Sequence, residues 1–376
     1  MAHVCHMTSV HKSLDTRIFM KECRSLVKAG HAVSLVAEGE TRIVDGVAIL
    51  GYGEKPHSRV KRMTETAKRV YEIACSTQAD VFHFHDPELI PYAVRLSKKG
   101  HCVVFDCHEN HESLLQEKEW IPKLFRKPLS AIWKRYYKRC TKKFDAVVTV
   151  DPNLAAQFDQ CTTVEVIANY PLANRKARGT EIPANPCDHI GPVRLVFAGG
   201  IARQWSHEEI IRAIDGVPNV EYELCGPIVD KSYFDGLALL PGSEKVNYHG
   251  EIPYENVQKL LEQCDLGMAL LKPSLNTNGH KGTLGNTKLF EMMAAGLPLV
   301  CTRFEQWECI VSDRCGVCVD PDNVSEIAEA ILNFSLHKER RVAAGNAAIA
   351  LFEHEYNWKI EEAKLVRLYD RLLSTD

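Results

Sequence analysis

Apolar strand-like runs and amphipathic helix-like runs alternate along this chain in two successive series, separated by a proline-punctuated polar stretch. In the first series the strand runs fall at residues 4–8, 32–37, 47–50, 79–85, 102–107, 146–150 and 164–167. Between the first two, Asp15 is placed to cap a helix whose apolar residues Phe19, Cys23, Leu26 and Val27 recur three or four apart, and Gly30 ends it. The second series opens with a strand run at 193–198, followed at once by Gly199-Gly200, and continues with runs at 220–225, 246–249, 266–271 and 297–301. Such alternation builds parallel sheets covered by helices on both faces. The chain therefore reads as α/β with two Rossmann-like doubly wound domains, residues 1–172 and 193–352. Residues 173–192, broken by Pro183, Pro186 and Pro192, read as the linker. A length of 376 residues suits two cores. Ligands of such sheets bind at the carboxyl ends of the strands, so two domains facing each other are expected to line a central cleft.

Composition narrows the function classes. Lys plus Arg number 46 and Asp plus Glu 49, a net charge of -3, which argues against a globally basic nucleic-acid binder. Fourteen cysteines are many, but most sit inside apolar runs, as Cys102 and Cys301 do, and read as small buried hydrophobes in a reducing compartment. The lone Cys315-Gly-Val-Cys318 lacks a second ligand pair at zinc spacing. No basic segment followed by an apolar one opens the chain, and no run of about eighteen apolar residues occurs, so a cytoplasmic location is expected.

Four strand ends carry the chemistry. They are His83-Phe-His85-Asp86, Asp106-Cys-His108-Glu109, Gly199-Gly-Ile-Ala-Arg203, and the loop and helix from Gly282 through Thr283, Leu284, Gly285, Asn286, Thr287 and Lys288 to Glu291. In the last, glycines permit a tight loop whose amides point at a helix start, which suits phosphate. Lys288 in the first turn is a cation against the helix dipole unless an anion compensates it. Glu291 follows one turn later on the same face, where a carboxylate can accept from vicinal hydroxyls. An ordinary Lys–Glu surface pair fits the same spacing equally well. His83 and His85 share one face of their strand, but the sequence offers no clear third ligand, and no metal is expected.

The stretch Lys288-Leu-Phe-Glu-Met-Met-Ala-Ala-Gly-Leu-Pro298 resembles the K-x-F-E-x-M-A-x-G-x-P signature of family 4 glycosyltransferases of the GT-B fold. The resemblance extends over Asp15-Thr-Arg17, Ala29-Gly-His31, Asp80-Val-Phe-His83-Phe-His85, Asn169 and Asn357-Trp358. It implies that residues 353–376 form a terminal helix crossing back to the first domain. It also implies retaining transfer of a sugar from a nucleotide diphospho-sugar, with UDP expected, to a glycan or lipid-linked saccharide, in bacterial polysaccharide, lipopolysaccharide or capsule assembly. By the resemblance Glu291 grips the ribose and has a catalytic role. The partner glutamate of the family's E-x7-E motif is here Thr283, so the donor sugar is expected on the amides of Thr283, Leu284 and Gly285. His108 matches the active-site histidine, with Glu109 beside it as acceptor-side base. Gly199, Gly200 and Arg203 are expected at the pyrophosphate, Gly226, Gly250 and Ile252 at the base, and Asp15, Arg17 and His85 on the acceptor side. Two cations and helix-end amides stabilise a leaving diphosphate without a metal, so no cofactor is expected. Alternatives are a nucleotide-sugar epimerase of similar fold and a binding protein that has lost catalysis.

One local feature departs from the neutral balance. Between Lys123 and Lys143 lie nine basic residues and no acid, with Trp133, Tyr136 and Tyr137 interleaved. That segment reads as a surface for anionic lipid, which would hold the protein on the inner face of the plasma membrane; a solvated helix face is the plainer alternative.

Overall fold

The computed structural model describes residues 1–108, 110, 122–161, 163–172 and 191–374. The chain divides into two compact units, Met1–Asn169 with Trp358–Asp376, and Tyr170–Asn357. The unit boundaries therefore fall at 169 and 357 rather than at 172 and 352. The expected linker is outside the described residues except for 191 and 192. The last helix, Trp358–Leu373, belongs to the first unit because its inner face is bound there. The Trp358 indole donates to Ser25 Oγ at 2.9 Å, and Glu361 accepts from the Ala168 amide at 2.9 Å.

The first unit is built on a sheet of eight described strands: β1 His3–Lys12, β2 Ala32–Glu38, β3 Arg42–Val44, β4 Val47–Gly51, β5 Val81–Phe84, β6 Cys102–Cys107, β7 Ala146–Thr149 and β8 Val164–Val166. Their order is β3-β4-β2-β1-β5-β6-β7-β8. All pairs are parallel except β3–β4, which the Asp45-Gly46 turn closes as a hairpin. Every residue of β5 and β7 is buried, as expected of parallel strands covered on both faces.

The second unit carries six described parallel strands: β9 Val193–Ala198, β10 Val220–Cys225, β11 Val246–Tyr248, β12 Leu266–Ala269, β13 Leu299–Thr302 and β14 Gly316–Val319. Their order is β11-β10-β9-β12-β13-β14. Cys301 and Cys318 face each other across β13 and β14 with their sulfurs 3.4 Å apart, and the described cysteines are all free.

Each sheet has one place where the chain reverses the direction in which it adds strands. In the first unit it lies between β1 and β5, in the second between β9 and β12. Crevices at the carboxyl ends of strands form at such switch points. The first gathers the ends of β1, β5 and β6, the second the end of β9 with the loop that leads into the helix Thr287–Ala294.

Candidate functional site

In the second unit the chain leaves β9 at Gly199, whose amide donates to Cys225 O at 2.9 Å. A Cβ on Gly199 would overlap Lys288 Cε, so the lysine stem crosses directly over the glycine. The Lys288 ammonium then lies 5.0 Å from the centre of the Trp205 ring, a cation–π geometry. Trp205 is buried against Phe197, with ring centroids 4.9 Å apart. Ser206 follows in a left-handed conformation (φ 47, ψ 35) and turns the chain into the helix His207–Asp215. For a residue with a Cβ that conformation is strained, at a cost of about 1–3 kcal/mol, and such strain concentrates at functional sites. Burial lowers the Lys288 pKa, only partly countered by Glu291. An ammonium that is desolvated, crossed over a glycine and placed at the positive end of a helix is arranged for an anion that is not part of the protein.

The amides expected to be free at this helix start are partly engaged. Asn286 is the N-cap, its side chain accepting from the Lys288 amide at 3.1 Å. Thr283 Oγ1 accepts from the Gly285 amide at 3.0 Å, and Thr283 O accepts from the Trp307 indole at 2.8 Å. Thr283 thus shapes the loop through its own side chain, and the Gly285 amide serves the loop. Leu284 and Thr287 are half-buried beside them. Glu291 is half-buried one turn on; partial burial and the Glu291 charge push the Tyr254 phenol up to about 12. Gly226 ends β10 and donates to Gly250 O at 2.8 Å, while Gly226 O accepts from the Tyr248 hydroxyl at 2.8 Å. Ile252 is half-buried just beyond. Gly200 is half-buried beside Gly199, but Arg203 is exposed. Its guanidinium lies 3.6 Å from Glu208, 3.7 Å from Asp230 and 4.6 Å from the Tyr233 ring centre. Reading along the sequence found the lone cation after the glycine pair and missed Trp205, the residue that positions Lys288.

In the first unit the expected acceptor-side residues fall into different roles. Asp15 is a local cap, its carboxylate accepting from the Arg17 and Ile18 amides at 2.8 and 3.0 Å. Arg17 is buried and makes a two-pronged contact with Asp106, Nε at 2.7 Å and a terminal nitrogen at 2.9 Å, with a further bond to Ile167 O. It organises the interior and is not offered to an acceptor. Burial pushes Asp106 up, but the Arg17 charge and bonds from His108 and His85 hold it well below the usual carboxylate range. Asp106 therefore stays ionised and aims two histidines. His85 Nδ1 is 3.0 Å from it, and His108 Nδ1 is 3.6 Å away just past the end of β6. His108 keeps 20% of its side chain exposed and meets His11 edge-on at 5.3 Å, so of these groups it is one that a substrate can reach. Asp86 fixes the second half of β1 by accepting from Thr8 and the Ser9 amide at 2.7 and 2.6 Å. Glu109 lies outside the described residues.

Beneath His108 lies a layer that sequence reading did not assemble. His6 and Glu22 join His83 and His85, all four buried, with donor atoms within 4.8 Å of one another. Its signal was present only as registry: His6 on β1 stands opposite His83 on β5.

Residues 17–169 match the model of Glycosyltransferase Family 4, and residues 192–336 match that of Glycosyl transferases group 1. No curated protein matches the chain in sequence. Among solved structures, sucrose-phosphate synthase from Thermosynechococcus elongatus is similar with a TM-score of 0.74 at 15% identity over 100% of both chains. HepE of Anabaena, solved with UDP and glucose, has a TM-score of 0.71 at 13% identity, covering 99% of this chain and 100% of its own. WaaG, a glycosyltransferase involved in lipopolysaccharide biosynthesis, reaches 0.68 at 17% identity over 97% and 98%. The architecture is that of the GT-B enzymes.

Proposed function

Because this chain belongs to the family 4 glycosyltransferases, we propose that it transfers a sugar, with retention, from a UDP-sugar to a glycan or lipid-linked saccharide of a bacterial surface polysaccharide. The observation that carries this reading is the Lys288 ammonium, desolvated over Trp205 and Gly199 at a helix start. It needs an anion, and a diphosphate leaving group supplies one at the moment its charge develops. Glu291, one turn on, takes the ribose hydroxyls. The loop of Thr283, Leu284 and Gly285 borders the sugar, with Thr283 holding the loop where relatives by motif use a glutamate. His108, beside Asp106 at 3.6 Å, is the first-unit group that the motif resemblance assigns to the transfer. No metal is needed at the diphosphate. HepE, solved with UDP and glucose, lends weight to UDP, and WaaG to the polysaccharide setting.

The basic helix Lys123–Thr141 is proposed as the seat on anionic lipid. It exposes Leu124, Phe125 and Ile132 among its cations, and Arg135, Lys138, Arg139 and Lys142 border a depression of about 440 Å3 with Asp159 and Gln160. No helix among the described residues is long and apolar enough to cross a membrane.

Thermal-shift screening against UDP-, GDP- and ADP-sugars tests the donor, and proton NMR of the product anomer tests retention. Glu291→Ala should weaken donor binding by about 10–150-fold, the value of a charge-assisted hydrogen-bond set of roughly 1.5–3 kcal/mol. Unchanged donor affinity and turnover in that variant would remove Glu291 from the site. Stabilisation by a GDP- or ADP-sugar alone would replace UDP in the reading.

A further inference from the structure

The layer beneath His108 has the form of a metal-binding shell. Glu22 Oε2 stands 3.9 Å from each of three imidazole nitrogens, His6 Nδ1, His83 Nδ1 and His85 Nε2. His6 Nδ1 and His85 Nε2 are 3.0 Å apart. Separations of 3.9 Å are too long for hydrogen bonds, so Glu22 Oε2 and these three fully buried imidazole nitrogens lie close together without the carboxylate bonding any of them. A buried carboxylate oxygen set among imidazoles that do not donate to it is costly. Donor atoms gathered within 4.8 Å of one another are close enough to converge on a single ion.

We propose that His6, His83, His85 and Glu22 hold a structural divalent ion of zinc type in the core of the first unit. Three histidines and one carboxylate are a tetrahedral zinc donor set, and four protein donors leave no open position for a substrate or water. One of the three histidines has the outer contact such a ligand needs, while His6 Nε2 and His83 Nε2 are buried without a hydrogen-bond partner among the described residues. His85 Nδ1 is held by Asp106 at 3.0 Å, which turns Nε2 toward the ion, and Asp106 is itself locked by Arg17. Arg17 Nε lies 3.2 Å from Glu22 Oε1, fixing the second carboxylate oxygen. His83 Nδ1 also meets the Tyr369 hydroxyl of the last helix at 2.8 Å, and that hydroxyl would turn aside for the nitrogen to ligate. The folding that builds the site is simple. Parallel β1 and β5 set His6 beside His83, His85 follows two residues on, and Glu22 is delivered by the helical turn Ile18–Cys23 between β1 and β2. The ion is distinct from the diphosphate chemistry: it braces β1 and β5, on which the end of β1 carrying His11 and its contacts with Asp86 depend.

The test uses the full-length, tag-free chain produced in zinc-supplemented medium. Elemental analysis after gel filtration is expected to find about one zinc per chain. Cobalt(II) exchanged into the chelator-stripped protein should give the intense visible bands of a tetrahedral ion, and stripping should lower the melting temperature until zinc is returned. Glu22→Gln, which preserves shape, should lose the metal and the cobalt bands. Parent protein that carries less than a tenth of an ion and gives no cobalt bands overturns the proposal. So does a weak octahedral cobalt spectrum, which marks adventitious surface histidines, or a folded Glu22→Gln variant that keeps a full equivalent. If that variant fails to fold, the parent's cobalt spectrum and its zinc-reversible melting shift alone decide.

Discussion

Replacing Lys288 with methionine separates a functional charge from a structural one. Methionine keeps most of the stem that crosses Gly199 and removes the ammonium. In the free protein the ammonium is disfavoured by burial, which lowers its pKa, and favoured by the Trp205 face at 5.0 Å, worth about 0.5–2 kcal/mol. The two oppose each other, so stability should change by no more than about 1 kcal/mol in either direction. At roughly 2–4 °C per kcal/mol for a unit of this size, the melting temperature should move by less than about 4 °C. With the nucleotide bound, the same ammonium makes a charge-assisted contact in a partly desolvated site. Its loss should cost about 1.5–3 kcal/mol, or 10–150-fold in affinity for UDP. The assay is paired: scanning calorimetry for stability, titration calorimetry with UDP for binding. Affinity within twofold of the parent would refute Lys288 as the diphosphate contact. A melting point lowered by 8 °C or more would show that the ammonium mainly stabilises the fold, and the argument from an uncompensated cation would fail.

Three further outcomes follow from the same contacts. Gly226 holds φ +133, and a Cβ there would overlap the Gly199 carbonyl, so Gly226→Ala should cost at least the ~1–3 kcal/mol of local strain and lower both the melting temperature and UDP affinity; an unchanged thermogram would contradict the close approach of the two strand ends. Burial lowers the Lys288 pKa, so its charge is lost at a lower pH than that of an ordinary lysine, which titrates at about 10.4. UDP should therefore bind with proton uptake on the alkaline side, below the pH at which an ordinary lysine titrates, and more weakly as pH rises further, whereas Lys288→Met shows neither effect; titrations in buffers of different ionisation enthalpy decide it. Changing Arg135, Lys138 and Arg139 together to glutamate should weaken binding to phosphatidylglycerol vesicles by 100-fold or more, at about 1 kcal/mol per cation, with no change on phosphatidylcholine; equal sedimentation of both proteins with anionic vesicles would remove the helix as a membrane seat.

What could be read from the sequence, and what could not, divides by how far apart the interacting residues lie. The strand–helix alternation and the loop into the helix Thr287–Ala294 depend on neighbours within a turn or a strand, so spacing alone exposed them. The function of Lys288 depends on Trp205, which comes from a turn after a different strand and which no local pattern singles out. Arg203 illustrates the converse. It stands beside the glycine pair in sequence, yet Asp230, from the segment after β10, meets its guanidinium in space. The β3–β4 hairpin was missed because three residues carry too short an alternation to register, although Asp45-Gly46 was its turn signal.

The histidine layer teaches a different rule. His83 and His85 were recognised as sharing a strand face, and the reading stopped for want of a third ligand. A central parallel strand buries both its faces, so a polar residue at any position on it must be met by another element. His6 in β1 is such a residue, and it is wholly buried, as is Glu22 on the helical turn that follows the strand. Two central strands placed side by side by the doubly wound order bring His6 opposite His83 without any motif linking them. Polar residues on strands expected to be central are thus the ones whose partners should be sought on the adjoining strands first. That criterion, applied to β1 and β5, brings His6 to His83 and His85; Glu22, on the helical turn Ile18–Cys23, lies beyond its reach.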